Sequence, residues 1–315
     1  MIRPLFWNEA EQRIRALWRL VIFLFIAACI ANPLAIALDA TGSALLESSF
    51  LNPLVALAFF IALWVNAKYI DKRPLKDFGL ANSVVWWRDF GFGFAIGAVI
   101  MSVTFLIPWL LGWIEIRDVV YTEIVAAPFV IAFIGQLMRY AAGSFFEELM
   151  SRSYLLRVIA EGLAGARVSR RQALVIGWVI TSMLFGALHL ANPNATLLSA
   201  VNITLLGFLF GAGMVYTGSL ALPIGLHMAW NVFQNNVFGL PNSGKPASTS
   251  LLVTEVNGSA LWTGGAFGPE GGLFSLAAIA VGGLLVWLWL CYYYGSPALI
   301  LSLADPPEDA VPNPV

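Results

Sequence analysis

The chain has 315 residues, of which 59% are hydrophobic and 11% are charged, and its mean hydropathy is +0.81. Soluble domains carry about 25% charged residues because their surface must be wetted. The composition therefore excludes an ordinary soluble globule and indicates an integral membrane protein. A formal net charge of −1, with no long basic tract, argues against a nucleic-acid partner.

Apolar segments of about 20 residues cross a bilayer as helices, because hydrocarbon cannot satisfy an open backbone. The first apolar run, Leu20–Leu38, is longer than the apolar part of a signal peptide, so we predict a spanning helix there and not a cleaved leader. The sequence predicts an all-α, polytopic membrane helix bundle of about eight transmembrane helices, at 18–38, 50–70, 90–113, 135–160, 172–190, 196–216, 219–237 and 272–294.

Arginine and lysine residues are concentrated in alternate connections of this predicted bundle. They occur in the N-terminal segment and in the loops at 68–88 and 157–171, whereas the loops at 39–49 and 114–123 contain one arginine between them. Because positive loops stay on the cytoplasmic side, both termini are predicted to be cytoplasmic, in a bacterial-type cytoplasmic membrane.

The chain is predicted to divide into three regions. These are an N-terminal three-helix membrane region (1–120), a membrane region that holds the polar motifs (121–294) and a disordered, acidic and proline-rich cytoplasmic tail (295–315). Residues 119–138 contain more apolar chain than one membrane crossing needs. The fourth helix is therefore either long and tilted or preceded by an interfacial piece. The segment 240–272 is rich in Gly, Pro, Ser and Thr and is predicted to be an irregular lid or tether.

Two adjacent glutamates interrupt the fourth apolar segment, in the run FFEELMSR at 145–152. Glu148 and Arg152 are four residues apart and can pair on one helix face. Glu147 then points about 100° away and is free for another purpose. The plain alternative is a salt-bridge cluster at a helix end, where charged side chains reach water.

Both histidines of the chain lie in apolar segments. His189 ends the run FGALH at 185–189, and His227 begins the run HMAWN at 227–231, which places Asn231 beside it on one helix face. A single histidine on an apolar helix is usually a core residue. Together with the glutamates, however, these costly intramembrane groups indicate a functional site.

Depth in the membrane allows these groups to meet. At about 1.5 Å per residue, Glu147, His189 and His227 lie about 20, 25 and 13 Å from the predicted cytoplasmic helix ends. They converge on an intramembrane cavity only if the fourth helix continues past the glutamates to about residue 160.

The ordered motifs Glu-Glu-x-x-x-Arg, Phe-x-x-x-His and His-x-x-x-Asn resemble those of the CAAX protease and bacteriocin-processing (CPBP) family. Its members are intramembrane endopeptidases related to the type II CAAX prenyl protease, and the resemblance covers residues 130–237. It implies hydrolysis of a peptide bond near the C-terminus of a membrane-associated protein or peptide, whether lipidated or not. The expected partners are that substrate and the lipid bilayer.

The resemblance also implies roles for the motif residues. Glu147 would activate water and His189 would position it, as suits a buried carboxylate base. His227 and Asn231 would hydrogen-bond the oxyanion, which is effective in a dry site. The residues that would support these four are Glu148, Arg152 and Phe185.

A metal ion is left open by the sequence. Glu147, His189 and His227 match the ligand types of catalytic zinc. No helical His-x-x-x-His pair is present, however, and asparagine is a poor zinc ligand. The cofactor is therefore either none or zinc, and the sequence favours the glutamate-driven mechanism over a metalloendopeptidase.

Two other classes of function are compatible with polar groups at mid-membrane. A proton-coupled transporter would show paired broken helices or an internal repeat, and neither is evident in the sequence. A non-catalytic immunity or scaffold protein would not need the complete motif set that this chain retains.

Overall fold

The computed structural model describes residues 3–9 and 11–307. We number the long helices and the two longer strands in chain order. Their bounds are α1 Ala16–Asp39, α2 Ala44–Asp71, α3 Val84–Leu110, β1 Ile114–Thr122, α4 Phe129–Leu163, α5 Arg170–Ala191, α6 Leu197–Thr217, α7 Ala221–Asn231, β2 Thr249–Val256 and α8 Phe274–Tyr294.

Short elements complete the described chain. A one-turn helix (Arg3–Phe6) precedes a two-residue hairpin (Trp7–Asn8 with Arg13–Ile14), and the other single turns are Leu75–Phe78, Ala260–Thr263, Gly265–Phe267, Pro269–Gly271 and Leu301–Ala304. All the long helices run between two ends of the bundle. We call the end with the α2–α3 and α4–α5 loops the arginine-rich end, and the other, which carries β1 and β2, the sheet end.

The predicted polytopic helix bundle is confirmed, with one helix shorter than the rest. Within the described chain, seven helices are long and apolar enough to cross a membrane. The eighth, α7, has 11 residues and continues as a π-helical turn of 6 residues over Val232–Val237. Nearly all of its side chains are buried. Because protein surrounds α7, its length need not match the hydrocarbon thickness.

Glycines fix α7 against α3. A Cβ atom on Gly93 would lie 2.5 Å from the carbonyl oxygen of Leu222, and one on Gly97 would lie 2.6 Å from that of Leu226. Such distances exclude any side chain, and small residues of this kind let two membrane helices approach backbone to backbone. The position of His227, the next residue after Leu226, is therefore set by this close packing.

Helix α4 continues past the two glutamates, as the convergence of the site requires. It runs for 35 residues from Phe129 to Leu163. A π-helical turn over Leu149–Leu155 directly follows Glu148, just as the turn over Val232–Val237 directly follows Asn231. Such turns inside helices frequently occur at functional sites.

The sheet end contains a strand pair that was not predicted. Strands β1 and β2 are antiparallel, from Ile114 opposite Val256 to Thr122 opposite Thr249. The prediction of an irregular segment at 240–272 is therefore wrong over β2, and β1 takes up part of the chain before α4. The rest of 240–272 does form loops and single turns.

Part of the C-terminal tail packs on the bundle. Leu303 and Ala304 are buried in the turn Leu301–Ala304, and Asp305 pairs with Arg170 at 3.0 Å. The prediction of disorder is wrong for these residues, because two apolar side chains and one ion pair hold them at the arginine-rich end. Residues 308–315 lie outside the described part of the chain, and the division into three regions stays a prediction.

Candidate active site

A cavity of about 320 Å³ lies among α4, α5 and α7 toward the sheet end. All four residues predicted to be catalytic line it, namely Glu147, His189, His227 and Asn231. Phe185 lines it as well, whereas Glu148 and Arg152 are fully buried behind it. The remaining walls are formed by Asn52, Arg139, Tyr140, Gly143, Phe146, Met150, Leu188, Asn192, Asn242, Ser243 and Lys245.

Glu148 connects the first motif to the third. Its Oε1 lies 2.8 Å from Nδ1 of His227 and 3.2 Å from Nη1 of Arg152. A carboxylate paired with a guanidinium only accepts, so Nδ1–H of His227 donates to it. Nε2 of His227 then lies on the side of Glu147, whose Oε2 is 3.8 Å away. The imidazole is thus held between a buried carboxylate and one that borders the cavity.

Aromatic rings fix the orientation of this imidazole. The ring of Phe210 stacks on that of His227 with centroids 4.7 Å apart, and the ring of Phe185 meets it edge to face at 5.9 Å. The guanidinium of Arg152 lies over the ring of Phe185, 4.1 Å from its centroid. Cation–π and edge-to-face contacts of this kind prefer defined geometries. Phe185 therefore links Arg152 to His227 by packing.

His189 begins the last turn of α5, Nδ1 being 2.7 Å from the carbonyl oxygen of Phe185. A carbonyl only accepts hydrogen bonds, so the proton of the neutral ring lies on Nδ1. Nε2 is then the hydrogen-bond acceptor that His189 offers to a group in the cavity.

Asn231 is oriented by a residue from the sheet end. Nδ2 of Asn242 donates to Oδ1 of Asn231 at 2.9 Å, whereas Nδ2 of Asn231 has a longer contact, 3.4 Å, to Oγ of Ser144. The acceptor end of the Asn231 amide is therefore occupied. Its N–H₂ group remains as the donor that the cavity wall presents.

Sequence reasoning missed three residues and one contact at this site. Asn242 and Lys245 lie in a Gly- and Pro-rich segment, where a polar residue is unremarkable and gives no signal. Arg139 did carry a signal, because it is an ionisable residue in an apolar spanning helix. The Glu148–His227 contact joins different helices, so spacing along the chain could not reveal it.

The predicted zinc ligands do not form a metal site as arranged. Among residues 3–9 and 11–307, no three His, Cys, Asp or Glu side chains gather closely enough to hold a metal ion. A zinc ion binds nitrogen and oxygen ligands at metal–ligand distances of about 2.0–2.2 Å, so all of its ligands must surround one point. Glu147 and His227 approach each other to 3.8 Å, but His189 does not complete the set with them.

Two comparisons with known proteins give matches. Residues 126–233 match the family model described as type II CAAX prenyl endopeptidase Rce1-like, a range that includes every motif residue named above. The chain is also similar to the uncharacterized protein YyaK of Bacillus subtilis (strain 168), with 27% identity over 263 residues, covering 76% of this chain and 84% of that protein. No solved structure gives a significant match.

The seven apolar helices and the family match agree on a multi-pass integral membrane protein. The resemblance drawn from the motifs is confirmed: residues 126–233 are similar to the Rce1-like type II CAAX prenyl endopeptidases.

Proposed function

We propose that the protein is an intramembrane endopeptidase in which Glu147 activates the attacking water. One observation carries the proposal: Glu147 is the only carboxylate among the described residues that line the cavity. Its side chain is 29% exposed, while that of its neighbour Glu148 is fully buried against Arg152 and His227. A general base must reach the proton that it removes, and of these two carboxylates only Glu147 can.

Water is positioned between two acceptors. Glu147 accepts one hydrogen of the water, and Nε2 of His189 accepts the other, since its Nδ1 is already engaged with the carbonyl oxygen of Phe185. The water oxygen is then directed at the scissile carbonyl carbon as Glu147 takes the proton. Holding reactants in such a geometry is a large part of enzymatic rate enhancement.

The developing oxyanion faces two donors. The N–H₂ group of Asn231 is the first, because its oxygen is occupied by Asn242. Nε2 of His227 is the second when the ring carries protons on both nitrogens, with the Glu148 carboxylate behind Nδ1. This arrangement is that of a carboxylate-supported histidine in hydrolases. The same Nε2–H, beside Glu147, can pass a proton to the leaving amine.

The substrate class that we propose is a membrane-associated peptide or protein cleaved near its C-terminus. Asn52, Asn192 and Asn242 surround the cavity and belong to the sheet end of the bundle. With the arginine-rich end in the cytoplasm, the mouth of the cavity faces away from the cytoplasm. The peptide segment would therefore enter from the non-cytoplasmic side of the membrane.

Mass spectrometry of membrane peptides from cells that express the wild type or Glu147→Gln tests the proposal. We expect cleavage products that are present with the wild type and absent with the variant, at equal amounts of folded protein. Products formed at the wild-type rate by Glu147→Gln would remove Glu147 as the base. An absence of any differing product would favour a non-enzymatic role.

Removal of metal ions tests whether the peptidase activity requires zinc. We expect the purified protein to retain its peptidase activity after dialysis against a strong chelator, because Glu147 and His189 act on the water directly and His227 acts on the oxyanion. Loss of activity on chelation, followed by recovery on addition of zinc, would establish a metalloendopeptidase instead.

A further inference from the structure

The catalytic cavity contains two cations that the chemistry above does not use. Arg139 comes from the first half of α4, and Lys245 from the segment between α7 and β2. Among the described residues, neither side chain has an ion pair or a hydrogen bond. The backbone carbonyl of Arg139 accepts from Nδ2 of Asn52 at 3.1 Å, so the main chain is tied there while the guanidinium is left without a partner.

An unpaired guanidinium at this position is costly. Arg139 lies ten residues into α4, about 15 Å from the start of the helix, and it is only partly exposed. Charged groups at such a depth normally pair with one another or face a water-filled path. The other arginine of this membrane helix that is close to the site, Arg152, is paired with Glu148. Among the described residues, Arg139 is thus the arginine of the site that lacks a counter-ion.

The charge of the cavity wall favours an anion. Arg139 and Lys245 contribute two positive charges, and Glu147 contributes the single negative charge among the described lining residues. The half-buried Arg139 suits direct binding, since its planar fork can hold both oxygens of a carboxylate. The exposed Lys245 lies in the loop segment, where a flexible ammonium can attract the same anion.

We propose that Arg139 and Lys245 form a carboxylate-binding subsite for the peptide substrate, a proposal that rests on the peptidase function. Arg139 precedes Glu147 by eight residues on one helix, which corresponds to about 12 Å along its axis. An extended peptide covers about 3.3 Å per residue. The bound carboxylate therefore lies three to four residues from the scissile bond, and it is either the C-terminal carboxylate or the side chain of an aspartate or glutamate.

Three mixtures of synthetic twelve-residue peptides with randomised central positions distinguish a C-terminal carboxylate from a side-chain carboxylate. The first has free C-termini and neutral side chains, the second is the same set with amidated C-termini, and the third is amidated with one glutamate at the second to fifth position from the end. The peptides are incubated with the protein in liposomes, and cleavage sites and rates are read by mass spectrometry. We expect the wild type to prefer one of the two carboxylate-bearing mixtures over the neutral amidated one.

The preference should depend on Arg139. In Arg139→Gln we expect kcat/KM for the preferred mixture to fall by about 10- to 100-fold, mainly through KM, as for loss of a hydrogen-bonded charge pair. The fall should be smaller for neutral amidated peptides, which present no carboxylate to Arg139. Arg139→Lys should recover a good part of the preference, because it restores the charge without the fork. Arg171→Gln, the same change at an exposed arginine of the arginine-rich end, serves as the matched control.

The outcomes separate the subsite from the peptidase function. Equal cleavage of neutral and carboxylate-bearing peptides by the wild type, or an unchanged preference in Arg139→Gln, would overturn the subsite while Glu147-dependent cleavage stands. Cleavage of no peptide, or equal cleavage by Glu147→Gln, would overturn the peptidase function and the subsite with it. Size-exclusion profiles of Arg139→Gln and Arg139→Lys show whether each variant is folded.

Discussion

Helix α4 contains two buried ion clusters in which a glutamate and an arginine have the same spacing, in opposite order. In the first, Glu148 and Arg152 are four residues apart, and in the second, Arg157 and Glu161 are four residues apart. Both glutamates are almost completely buried. The clusters differ in their cations: Glu148 contacts one arginine and a histidine, whereas Glu161 lies within 3.6 Å of four arginines, namely Arg13, Arg19, Arg73 and Arg157.

The surroundings of the two clusters explain the difference. Around Glu161, which is 1% exposed, the arginines bring the N-terminal segment, α1 and the α2–α3 loop onto α4. Asp71 and the hydroxyl of Tyr154 extend the same network through Arg19. This cluster joins elements, and its central carboxylates, Glu161 and Asp71, are both buried. Around Glu148, the neighbouring Glu147 borders a cavity. The same spacing therefore stabilises the fold at Glu161 and positions a histidine at Glu148.

The largest expected effect is on catalysis. Glu147→Gln should lower kcat/KM by about 100- to 10,000-fold, the usual range for loss of a general base. Because the Glu147 side chain is partly exposed and its closest charged contact is His227 at 3.8 Å, we expect the thermal midpoint of unfolding to stay close to that of the wild type. Turnover and unfolding are measured on the same detergent-solubilised preparation. A variant that loses stability and activity together would place Glu147 among structural residues like Glu161.

The opposite result is expected for the second cluster. Glu161→Gln leaves four guanidinium groups around a neutral amide, and removal of one partner from a buried ion cluster destabilises by about 3–5 kcal/mol. Activity per folded molecule should remain, since Glu161 is far along α4 from the cavity. Thermal unfolding followed by tryptophan fluorescence measures the effect.

The matched control for this prediction is Glu255→Gln. Glu255 is about half exposed and pairs with Arg117 at the sheet end, where an exposed ion pair contributes little to stability. We expect it to leave the midpoint nearly unchanged. If Glu161→Gln proved as harmless as Glu255→Gln, the contrast between the clusters would lose its physical basis.

Much of the fold was predictable because the length and apolarity of a spanning helix are local properties. The spanning helices, including the continuation of α4 past Glu148, follow from runs of about 20 apolar residues. The pairing of β1 with β2 does not follow from such local patterns, because residues such as Ile114 and Val256 are far apart in the chain. The packing of Leu303 depends likewise on a surface that forms only after folding.

The site was predictable only in part, for a similar reason. The pairs Glu148–Arg152 and His227–Asn231 follow from helical spacing. The contacts that orient them, from Glu148 to His227 and from Asn242 to Asn231, run between separate elements. Spacing also cannot show that Glu148–Arg152 belongs to the site and Arg157–Glu161 to a stabilising cluster. The number of arginines near each glutamate depends on the tertiary structure.

A third buried carboxylate sharpens the comparison, since within the described chain it lies beside no arginine. Glu270, in the turn before α8, is 2% exposed. Its Oε2 accepts from Nε2 of Gln234 at 2.6 Å, and its Oε1 from Oγ of Ser243 at 3.5 Å. Burial without a cation raises the pKa of Glu270 to about 7 from an ordinary value of 4.5.

The raised pKa makes stability depend on pH with a definite sign. The folded protein binds a proton at Glu270 that the unfolded chain releases above pH 4.5, so its stabilising contribution is complete below that pH and is lost as the pH rises through about 7. The total is up to about 3 kcal/mol, smaller than for the arginine cluster. Glu270→Gln should unfold at a higher midpoint than the wild type at pH 8 and at a similar midpoint at pH 5. Equal pH dependence of the wild type and Glu270→Gln would mean that water or a neighbouring group already compensates the Glu270 charge, and that a buried carboxylate in this protein does not need an arginine.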